Sequence, residues 1–338
     1  MQHKTTYLKR MQDAKSLLNL LPNINEYNFE PNALQIFRWQ ATKNLVYKSY
    51  LRHLNVDVAE VCKLGQIPFL PISFFKSHTI KTNEWEPEKV FESSGTSGMQ
   101  TSKHFIKDVQ FYHTHAKRLF EAEFGSIEKA HILALLPSYL ERDSSSLVSM
   151  VQFFIQNSNS SHSGFYLHNL EQLANKLIEL KYSDRKIILF GVTFALLKLT
   201  EKYELDLSHV ILIETGGMKG KREEVTREEL YYKLRKKLNL VDIYSEYGMT
   251  ELLSQAYGRN AMFTVPNSMK ILIREVSDPF SEVPIGRTGG INVIDLANVH
   301  TCSFIETQDL GRLNADGMFE VLGRFDNSEL RGCNLLVS

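Results

Sequence analysis

Short apolar runs that alternate with amphipathic segments constrain the fold of this chain more than any other feature. The runs are ILALLP from Ile132, KIILFG from Lys186, VILIETGG from Val210 and VDIYSEYG from Val241. Their length, and the Gly, Pro or Ser that bounds them, are typical of strands buried on both faces of a sheet. Leucines at helical spacing occur between them, over residues 170–180 and 230–238. Strands that alternate with helices predict an α/β fold with a mainly parallel sheet.

The regions on either side of these runs have different residue patterns. Apolar side chains at spacings of three and four predict helices over residues 1 to about 60, where Asn32 is a candidate N-cap. Toward the other end, MKILIREV and GGINVIDL carry turns but no helical stripe, which predicts antiparallel or mixed strands. We therefore predict a helical segment with the α/β core over 1–265, a smaller β-rich subdomain of the same core over 266–322, and a hinge with a short tail over 323–338.

Two further segments carry side chains of chemical interest. The segment IPFLPISFFKSHTI, residues 67–80, has two prolines that hold it extended, and its phenylalanines need a partner surface. It is either a buried connector or a wall of a substrate pocket. Residues 108–124 have helical spacing and carry His113 and His115. Because neighbouring positions on a helix point in different directions, we predict surface histidines rather than a shared metal site.

Composition limits the classes of partner. Lys and Arg number 39 and Asp and Glu number 39, so no net field favours nucleic acid or acidic membranes, and a small molecule fits better. Cys62, Cys302 and Cys333 are widely separated, with no CxxC pair, which indicates a reducing compartment. No apolar run approaches the roughly 20 residues that span a bilayer. We expect a cytoplasmic protein without integral membrane association.

A polar loop follows the valine-led segment Val90–Phe91. Its hydroxyls and bare backbone N–H groups are typical of a phosphate-binding loop, and Lys103 adds a positive charge a few residues later. The loop does not match the Walker A motif, because Met99 stands where that motif has lysine. A flexible loop of the same composition is the alternative interpretation. The loop residues are Ser93, Ser94, Gly95, Thr96, Ser97 and Gly98.

Ligands of α/β sheets bind beyond the carboxyl ends of the strands, so the residues that follow each predicted strand are candidates. Gly216 and Gly217 follow VILIET and allow a flat ring to lie against the main chain. Tyr247, Thr250 and Glu251, in YSEYGMTE, supply an aromatic ring, a hydroxyl and a carboxylate. These groups suit a base, a phosphate and Mg²⁺, respectively.

Two charged residues farther along suit a sugar. A carboxylate such as Asp309, in IETQDLGR, can accept hydrogen bonds from both hydroxyls of a ribose. A guanidinium such as Arg324, in GRFDNSELRG, can reach the same sugar or a phosphate oxygen. Either residue by itself would be an ordinary surface charge, so the order and combination of the motifs carry the hypothesis.

The series SSGTSG, GG, YGMTE, QDLGR and GRFD, in this order, resembles the core motifs of the adenylate-forming superfamily of acyl-CoA synthetases and related ligases. The resemblance covers roughly residues 65–332. Within the superfamily, IPFLPISFFK, FESSGTSG and ETGGMKGKREE are most similar to the acyl-protein synthetases, the fatty-acid-activating component of the bacterial bioluminescence fatty acid reductase. Phenylacetate-CoA ligases are the next most similar group.

The resemblance implies attack of a carboxylate on the α-phosphate of ATP, which gives an acyl adenylate and pyrophosphate. The resemblance also implies that Mg²⁺ assists this reaction by neutralising charge. It implies that Asp326 lies where the family has its interdomain hinge. The resemblance implies that Ser93 to Gly98 with Lys103 bind the β- and γ-phosphates, and that Gly216, Gly217 and Tyr247 bind adenine, with Gly248 a further cofactor-binding residue. It implies that Thr250 contacts phosphate, that Glu251 binds Mg²⁺, and that Asp309 and Arg324 bind ribose.

The superfamily carries a further C-terminal domain with a lysine that assists adenylation, and we expect that domain to be essentially absent from a chain that stops at Ser338. Acyl-protein synthetases pass the acyl group to a cysteine near their own C-terminus, and Cys333 matches it. Arg331 nearby could favour its thiolate, although a small buried hydrophobe is the alternative. A partner protein or coenzyme A is the other acceptor, and a catalytically idle nucleotide-binding subunit is a further hypothesis.

Overall fold

The computed structural model describes residues 13–94, 100–137, 141–216 and 226–325. The first part is helical, as predicted, and leads into a short strand. Its elements are α1 (Ala14–Leu18), α2 (Phe29–Lys43), α3 (Leu45–His53), β1 (Leu70–Pro71) and α4 (Phe74–Ser77). The predicted N-cap is wrong, because Asn28 precedes α2 and Asn32 lies inside it, where its Nδ2 donates to the Asn28 carbonyl at 2.7 Å.

Strands and helices alternate through the middle of the chain. The elements are β2 (Lys89–Glu92), β3 (Lys103–Ile106), α5 (Val109–Phe124), β4 (Ala130–Leu135), α6 (Ser146–Asn157), β5 (Gly164–Phe165), α7 (Leu170–Glu179), β6 (Lys186–Val192), α8 (Thr193–Lys202), β7 (Val210–Thr215), α9 (Arg227–Leu238) and β8 (Tyr244–Tyr247). The predicted strands are β4, β6, β7 and β8, and the predicted leucine stripes lie in α7 and α9. The alternating pattern is therefore confirmed.

The remaining described elements are strands. They are β9 (Ala256–Arg259), β10 (Met262–Thr264), β11 (Met269–Arg274), β12 (Gly289–Asp295), β13 (Phe304–Leu313) and β14 (Phe319–Arg324). In the main sheet the order is β11-β12-β13-β14-β10-β9-β8-β7-β6-β4-β5, and β1 pairs with β13. We call β4 to β8, which run parallel, the parallel half, and β9 to β14, whose pairs are antiparallel, the antiparallel half.

Helices cover both faces of the parallel half, which explains its continuous apolar runs. Ile132 and Ile188 belong to a core cluster with phenylalanines of α5 and α6. The alternate residues Leu133 and Leu189 belong to a second cluster with the leucines of α7, α8 and α9. Burying each such side chain contributes about 1.5–3 kcal/mol. Successive side chains of one strand therefore stabilise opposite layers.

The segment IPFLPISFFK is a buried connector, which confirms one of its two interpretations. Ile67, Phe69 and Phe75 are buried, and β1 within the segment joins β13. Phe69 contacts Phe304 edge-on, with ring centroids 6.3 Å apart. The other interpretation, a pocket wall, stays a prediction.

The prediction of surface histidines on α5 is wrong. His115 is 4% exposed, and its Nε2 lies 2.8 Å from Ser254 Oγ. His113 is half-buried, with its Nε2 2.9 Å from Ser149 Oγ on α6. The reason is that α5 packs against the sheet on one side and against α6 on another, so adjacent faces of this helix are both covered.

The sheet is continuous across residue 265, because β10 pairs with β14. The division of the chain at residues 265 and 322 stays a prediction. Within the described ranges, no helix has the length and apolar character needed to cross a membrane.

Candidate functional site

Strands of the parallel half end at one edge of the sheet, and predicted site residues lie there. Thr215 at the end of β7 pairs with Glu246 of β8, so Gly216 lies beside Tyr247. Gly216 has φ of 71°, a conformation that favours glycine. Thr193 Oγ1 donates to its carbonyl at 2.7 Å. The main chain of Gly216 is therefore exposed at this edge, and the hydrogen bond from Thr193 fixes its position.

Tyr247, Asp309 and Arg324 form one hydrogen-bonded group, which we call the Tyr247 cluster. Tyr247 OH donates to Asp309 Oδ2 at 3.0 Å, and Arg324 Nε donates to Asp309 Oδ1 at 2.9 Å. Asp309 and Arg324 are direct partners in the ladder between β13 and β14. The structure thus brings together residues from three separate motifs.

Aromatic packing fixes the ring of Tyr247. Its centroid lies 5.9 Å from that of Phe263 and 5.2 Å from that of Phe319, both in edge-on geometry. Burial, with the Asp309 charge second, raises the pKa of Tyr247 well above its ordinary value. The phenol therefore stays protonated and remains a donor to Asp309.

The main chain of Thr250 and Glu251 is held by side chains from distant parts of the chain, and we call these two residues the Thr250–Glu251 turn. His104 Nδ1 lies 2.7 Å from the Thr250 carbonyl oxygen. Asn298 Nδ2 donates to the Glu251 carbonyl at 2.8 Å. Both contacts use backbone carbonyl oxygens, so they fix the main chain of the turn.

The residues just after this turn are fixed by a buried carboxylate. Asp295 Oδ2 accepts from the backbone N–H groups of Leu253 at 2.8 Å and Ser254 at 2.9 Å, and its Oδ1 accepts from Ser254 Oγ at 2.7 Å. Burial raises the pKa of Asp295, and these hydrogen bonds oppose the shift. His104, Asp295 and Asn298 belong to no motif, so only the contacts identify them.

Ser93 and Ser94, the described part of the polar loop, directly follow β2, which pairs with β3 in a hairpin. The pairing continues beyond the strands, because Ser93 N–H donates to the Ser102 carbonyl at 3.0 Å and Ser102 N–H donates to Ser93 Oγ at 2.9 Å. Lys103 lies on the outer face of β3, 54% exposed, with its Nζ 3.6 Å from Glu92 Oε1. Ser94 is exposed beside them.

Several predicted site residues lie outside the described residues, and their predicted roles are not tested. They are Gly95, Thr96, Ser97, Gly98, Gly217, Asp326 and Cys333.

The flexible end of the Glu246 side chain lies close to Gly248, so a larger residue at Gly248 would displace it. A Cβ added at Gly248 would lie 2.7 Å from Glu246 Oε1. Burial, with the charge of Glu214 second, raises the pKa of Glu246 to about 7. This carboxyl group therefore changes protonation near neutral pH, at the same edge as Tyr247.

Among the described residues, no group of three or more His, Cys, Asp or Glu side chains is placed to hold a metal by itself. Mg²⁺ in nucleotide sites needs only one or two carboxylates, because phosphate oxygens and water complete its coordination. Glu251 is 5% exposed and supplies one carboxylate. One carboxylate at this position is compatible with a magnesium ion that arrives with a nucleotide.

A cavity of about 610 Å³ lies elsewhere, between α1 and the segment before β2. Trp39, Trp85 and His300 line it, together with acidic and basic side chains. None of the predicted site residues is in its lining, so we place the functional site at the open strand edge and not in this cavity.

No protein-family model matches the chain, and no curated protein matches it in sequence. Solved structures do match. A 2-hydroxyisobutyryl-CoA ligase in complex with 2-HIB-AMP and CoA, in the thioesterification state, has a TM-score of 0.64 at 12% identity, over 94% of this chain and 70% of that one. Its open conformation has a TM-score of 0.61 at 12% identity, over 87% and 73%.

ATP-bound MatB from Rhodopseudomonas palustris has a TM-score of 0.53 at 13% identity, over 72% of this chain. The chain spans about half, 49%, of the length of that protein. At these identities the likeness establishes the fold, and the α/β fold with a β-rich part is confirmed. The chain therefore shares the fold of these solved ligases.

Proposed function

We propose that this chain activates a carboxylic acid with ATP to an acyl adenylate and then passes the acyl group to a thiol. The observation that carries the proposal is the Tyr247 cluster, since motifs for a base and a ribose meet there at a strand edge. The Thr250–Glu251 turn follows directly after Tyr247, so a phosphate and a metal would lie beside the nucleoside.

The described residues fit a nucleotide. Among the described residues, each oxygen of the Asp309 carboxylate accepts one hydrogen bond, which leaves a lone pair for a ribose hydroxyl. The Arg324 side chain is 53% exposed and available to the same sugar or to a phosphate. Adenine would lie between Gly216 and Tyr247, and Lys103 with the hairpin loop would hold the outer phosphates. Mg²⁺ at Glu251 would supply positive charge against those phosphates.

The reaction requires positioning more than covalent help. A carboxylate oxygen of the acid forms a bond to the α-phosphorus while the bond from that phosphorus to the bridging oxygen breaks, and pyrophosphate leaves. No proton moves in this step. Holding the two reactants in line and neutralising the leaving group therefore account for most of the catalysis.

A thiolate then attacks the acyl carbon, and AMP leaves. Of the described cysteines, Cys302 is fully buried, and burial raises the pKa of its thiol to about 12, so it is a poor nucleophile. Cys62 is exposed. Cys333, an acyl-accepting partner protein and coenzyme A are the acceptors we propose. Coenzyme A is supported by the similar ligase, which was solved with CoA bound.

Pyrophosphate exchange against a panel of fatty, aryl and short carboxylic acids tests the first step. We expect at least one acid to support exchange, and Glu251→Gln to lower its rate by about 10²–10³ because charge stabilisation is lost. Calorimetry with Mg·ATP accompanies the assay. Binding of ATP without exchange for any acid would instead identify a catalytically idle nucleotide-binding subunit.

The mass of the protein after incubation with ATP and the active acid tests the acceptor. We expect an acyl adduct that Cys333→Ser removes and that Cys62→Ser, a matched control with an exposed thiol, leaves in place. Consumption of the adenylate by CoA, with no effect of Cys333→Ser, would establish coenzyme A as the acceptor.

A further inference from the structure

His104 has a geometry that none of the motifs explains. Its imidazole is fully buried, with Phe75 edge-on to the ring at 5.8 Å between centroids. Nδ1 lies 2.7 Å from the Thr250 carbonyl oxygen, 146 positions away in sequence. Nε2 lies 3.0 Å from Thr301 Oγ1, 197 positions away. One side chain of β3 therefore joins the hairpin to the Thr250–Glu251 turn and to the segment between β12 and β13.

The hydrogen bond to Thr250 fixes the tautomer of His104, and burial of the ring fixes its protonation state. A carbonyl oxygen only accepts, so Nδ1 carries the proton and donates to Thr250. Nε2 then accepts from the Thr301 hydroxyl. Burial lowers the pKa of His104 to about 4, and the bond to Thr250 opposes that shift only partly. The ring is therefore neutral at pH 7, and each of its nitrogens has a partner.

The Thr301 end of this contact is itself anchored. Thr82 Oγ1 donates to the Thr301 carbonyl at 2.6 Å, and Asn44 Nδ2 donates to the same oxygen at 2.8 Å. Asn44 also caps α3, since its side chain accepts from Tyr47 N–H. Thr301 is therefore fixed by Thr82 and Asn44, and His104 links the Thr250 carbonyl to this fixed residue.

Strand geometry connects His104 to the ligand side of the hairpin. Lys103 and His104 are adjacent in β3, so their side chains point to opposite faces. Lys103 is half-exposed, whereas His104 is fully buried. Anchoring His104 therefore also sets the position of Lys103 and of the hairpin arm that leads to Ser102 and Ser93.

We propose that His104 is a positioning residue that holds the hairpin and the Thr250–Glu251 turn at a fixed separation, so that phosphate-binding and metal-binding groups remain aligned. This inference rests on the proposed function for the nature of the ligand. The mechanical link itself is a property of the unliganded chain.

His104→Gln and His104→Asn test the link, because the glutamine amide lies near the position of Nε2 and the asparagine amide near that of Nδ1. His131 is the matched control. It is also buried, at 4% exposure, and both of its nitrogens contact hydroxyls, Ser160 Oγ at 2.7 Å and Ser183 Oγ at 2.9 Å. It lies at the amino end of β4, the edge opposite the site.

The first measurement is backbone amide exchange over residues 249–254 in the unliganded protein. We expect His104→Gln to speed exchange there, His104→Asn to do so less, and His131→Gln to have no local effect. Equal exchange in the His104 and His131 variants would overturn the inference, whatever the wild-type protein does with ATP.

The second measurement is ATP affinity by calorimetry with and without Mg²⁺, together with pyrophosphate exchange. We expect His104→Gln to lower the Mg²⁺-dependent part of the affinity, and the exchange rate, by about 10–100-fold, as for other residues that support a metal ligand. His131→Gln should leave both unchanged. If wild-type protein binds no Mg·ATP, the proposed function is wrong, while the amide-exchange result still decides the role of His104.

Discussion

The two halves of the sheet contribute to the site in different ways. The parallel half contributes residues in loops beyond the strands, such as Gly216 and Glu251. Their backbone carbonyls accept hydrogen bonds from side chains elsewhere in the fold. From the antiparallel half come residues within strands, Asp309 and Arg324, which are set by ladder register. We expect substitutions in the first group to affect folding less than substitutions in the second group. In the second group, the same atoms stabilise the sheet and would contact the ligand.

Polar groups buried in the antiparallel half show why the two roles overlap there. Arg274 is buried and donates to the Thr307 carbonyl at 2.9 Å and to the Ile291 carbonyl at 3.3 Å. A Cβ at Gly290 would lie 2.2 Å from Arg274 Nη1, so a larger residue there would force the Arg274 side chain to move. Thr307 Oγ1 in turn accepts from Asp309 N–H at 3.1 Å. The Tyr247 cluster is thus one part of a connected polar core.

Asp309→Ala gives the largest effect expected from this comparison. It leaves Tyr247 OH buried without its acceptor and removes the ion pair with Arg324, which is partly screened because Arg324 is half-exposed. We expect the free energy of unfolding to fall by about 2–4 kcal/mol, with loss of ATP binding. Urea unfolding and calorimetry measure the two effects. Tyr247→Phe is the control and should cost only about 1 kcal/mol.

If Asp309→Ala lost ATP binding but kept wild-type stability, the comparison would be contradicted. A residue within a strand would then contribute to binding without contributing to the stability of the sheet.

The next largest expected effect is the pH dependence of the loss of stability caused by His104→Gln. The pKa of His104 is lowered from 6.5 to about 4 in the folded chain, so the unfolded state binds more protons between these values. Stability that depends on neutral His104 is therefore full above pH 6.5 and is lost as the pH falls toward 4. We expect the destabilisation by His104→Gln to shrink over this interval by on the order of 2–3 kcal/mol. Urea unfolding at several pH values measures it, and a constant difference would contradict it.

Glu246 in the parallel half should have the opposite slope. Its pKa is raised from 4.5 to about 7, so the folded state binds more protons between these values and stability is lost as the pH rises through 7. We expect Glu246→Gln to gain stability relative to wild type over this interval by on the order of 1–2 kcal/mol, since partial exposure screens the carboxylate. The same unfolding series measures it. Equal slopes for wild type and variant would show that Glu246 is not desolvated.

Lys103→Ala has the smallest expected effect on stability. Its ion pair with Glu92 is exposed, at 54% and 39%, so we expect a loss of less than about 1 kcal/mol. ATP affinity should fall more, because a phosphate contact would be lost. Thermal unfolding and calorimetry separate the two effects. Lys89→Ala, on the same hairpin, is the control and should leave ATP affinity unchanged.

Local patterns predicted the elements well where one periodicity dominated. The apolar runs formed β4, β6, β7 and β8, and the continuous burial of β4 and of most of β6 follows from cover on both faces of the sheet. The patterns were less informative where the environment decided the outcome. The N-cap failed because asparagines occur at both Asn28 and Asn32, and the helix begins at the first.

The histidines of α5 failed for a related reason. Helical spacing gives the directions of the His113 and His115 side chains but not what covers them. Arg118 donates to His115 Nδ1 at 3.0 Å, and Ser254 Oγ contacts the other ring nitrogen. Ser254 is distant in sequence, so the residues around His115 in the sequence do not indicate that its side chain is buried. His104 was missed in the same way.

The sequence by itself determined the type and order of the elements and the order of the motifs, because backbone geometry imposes periods that a local run of side chains must follow. Only the tertiary structure decided that Tyr247 meets Asp309, 62 positions away, and that one buried imidazole holds Thr250. Contacts over such separations depend on how the layers pack. The pKa values of His104 and Glu246 depend on the desolvation that this packing produces.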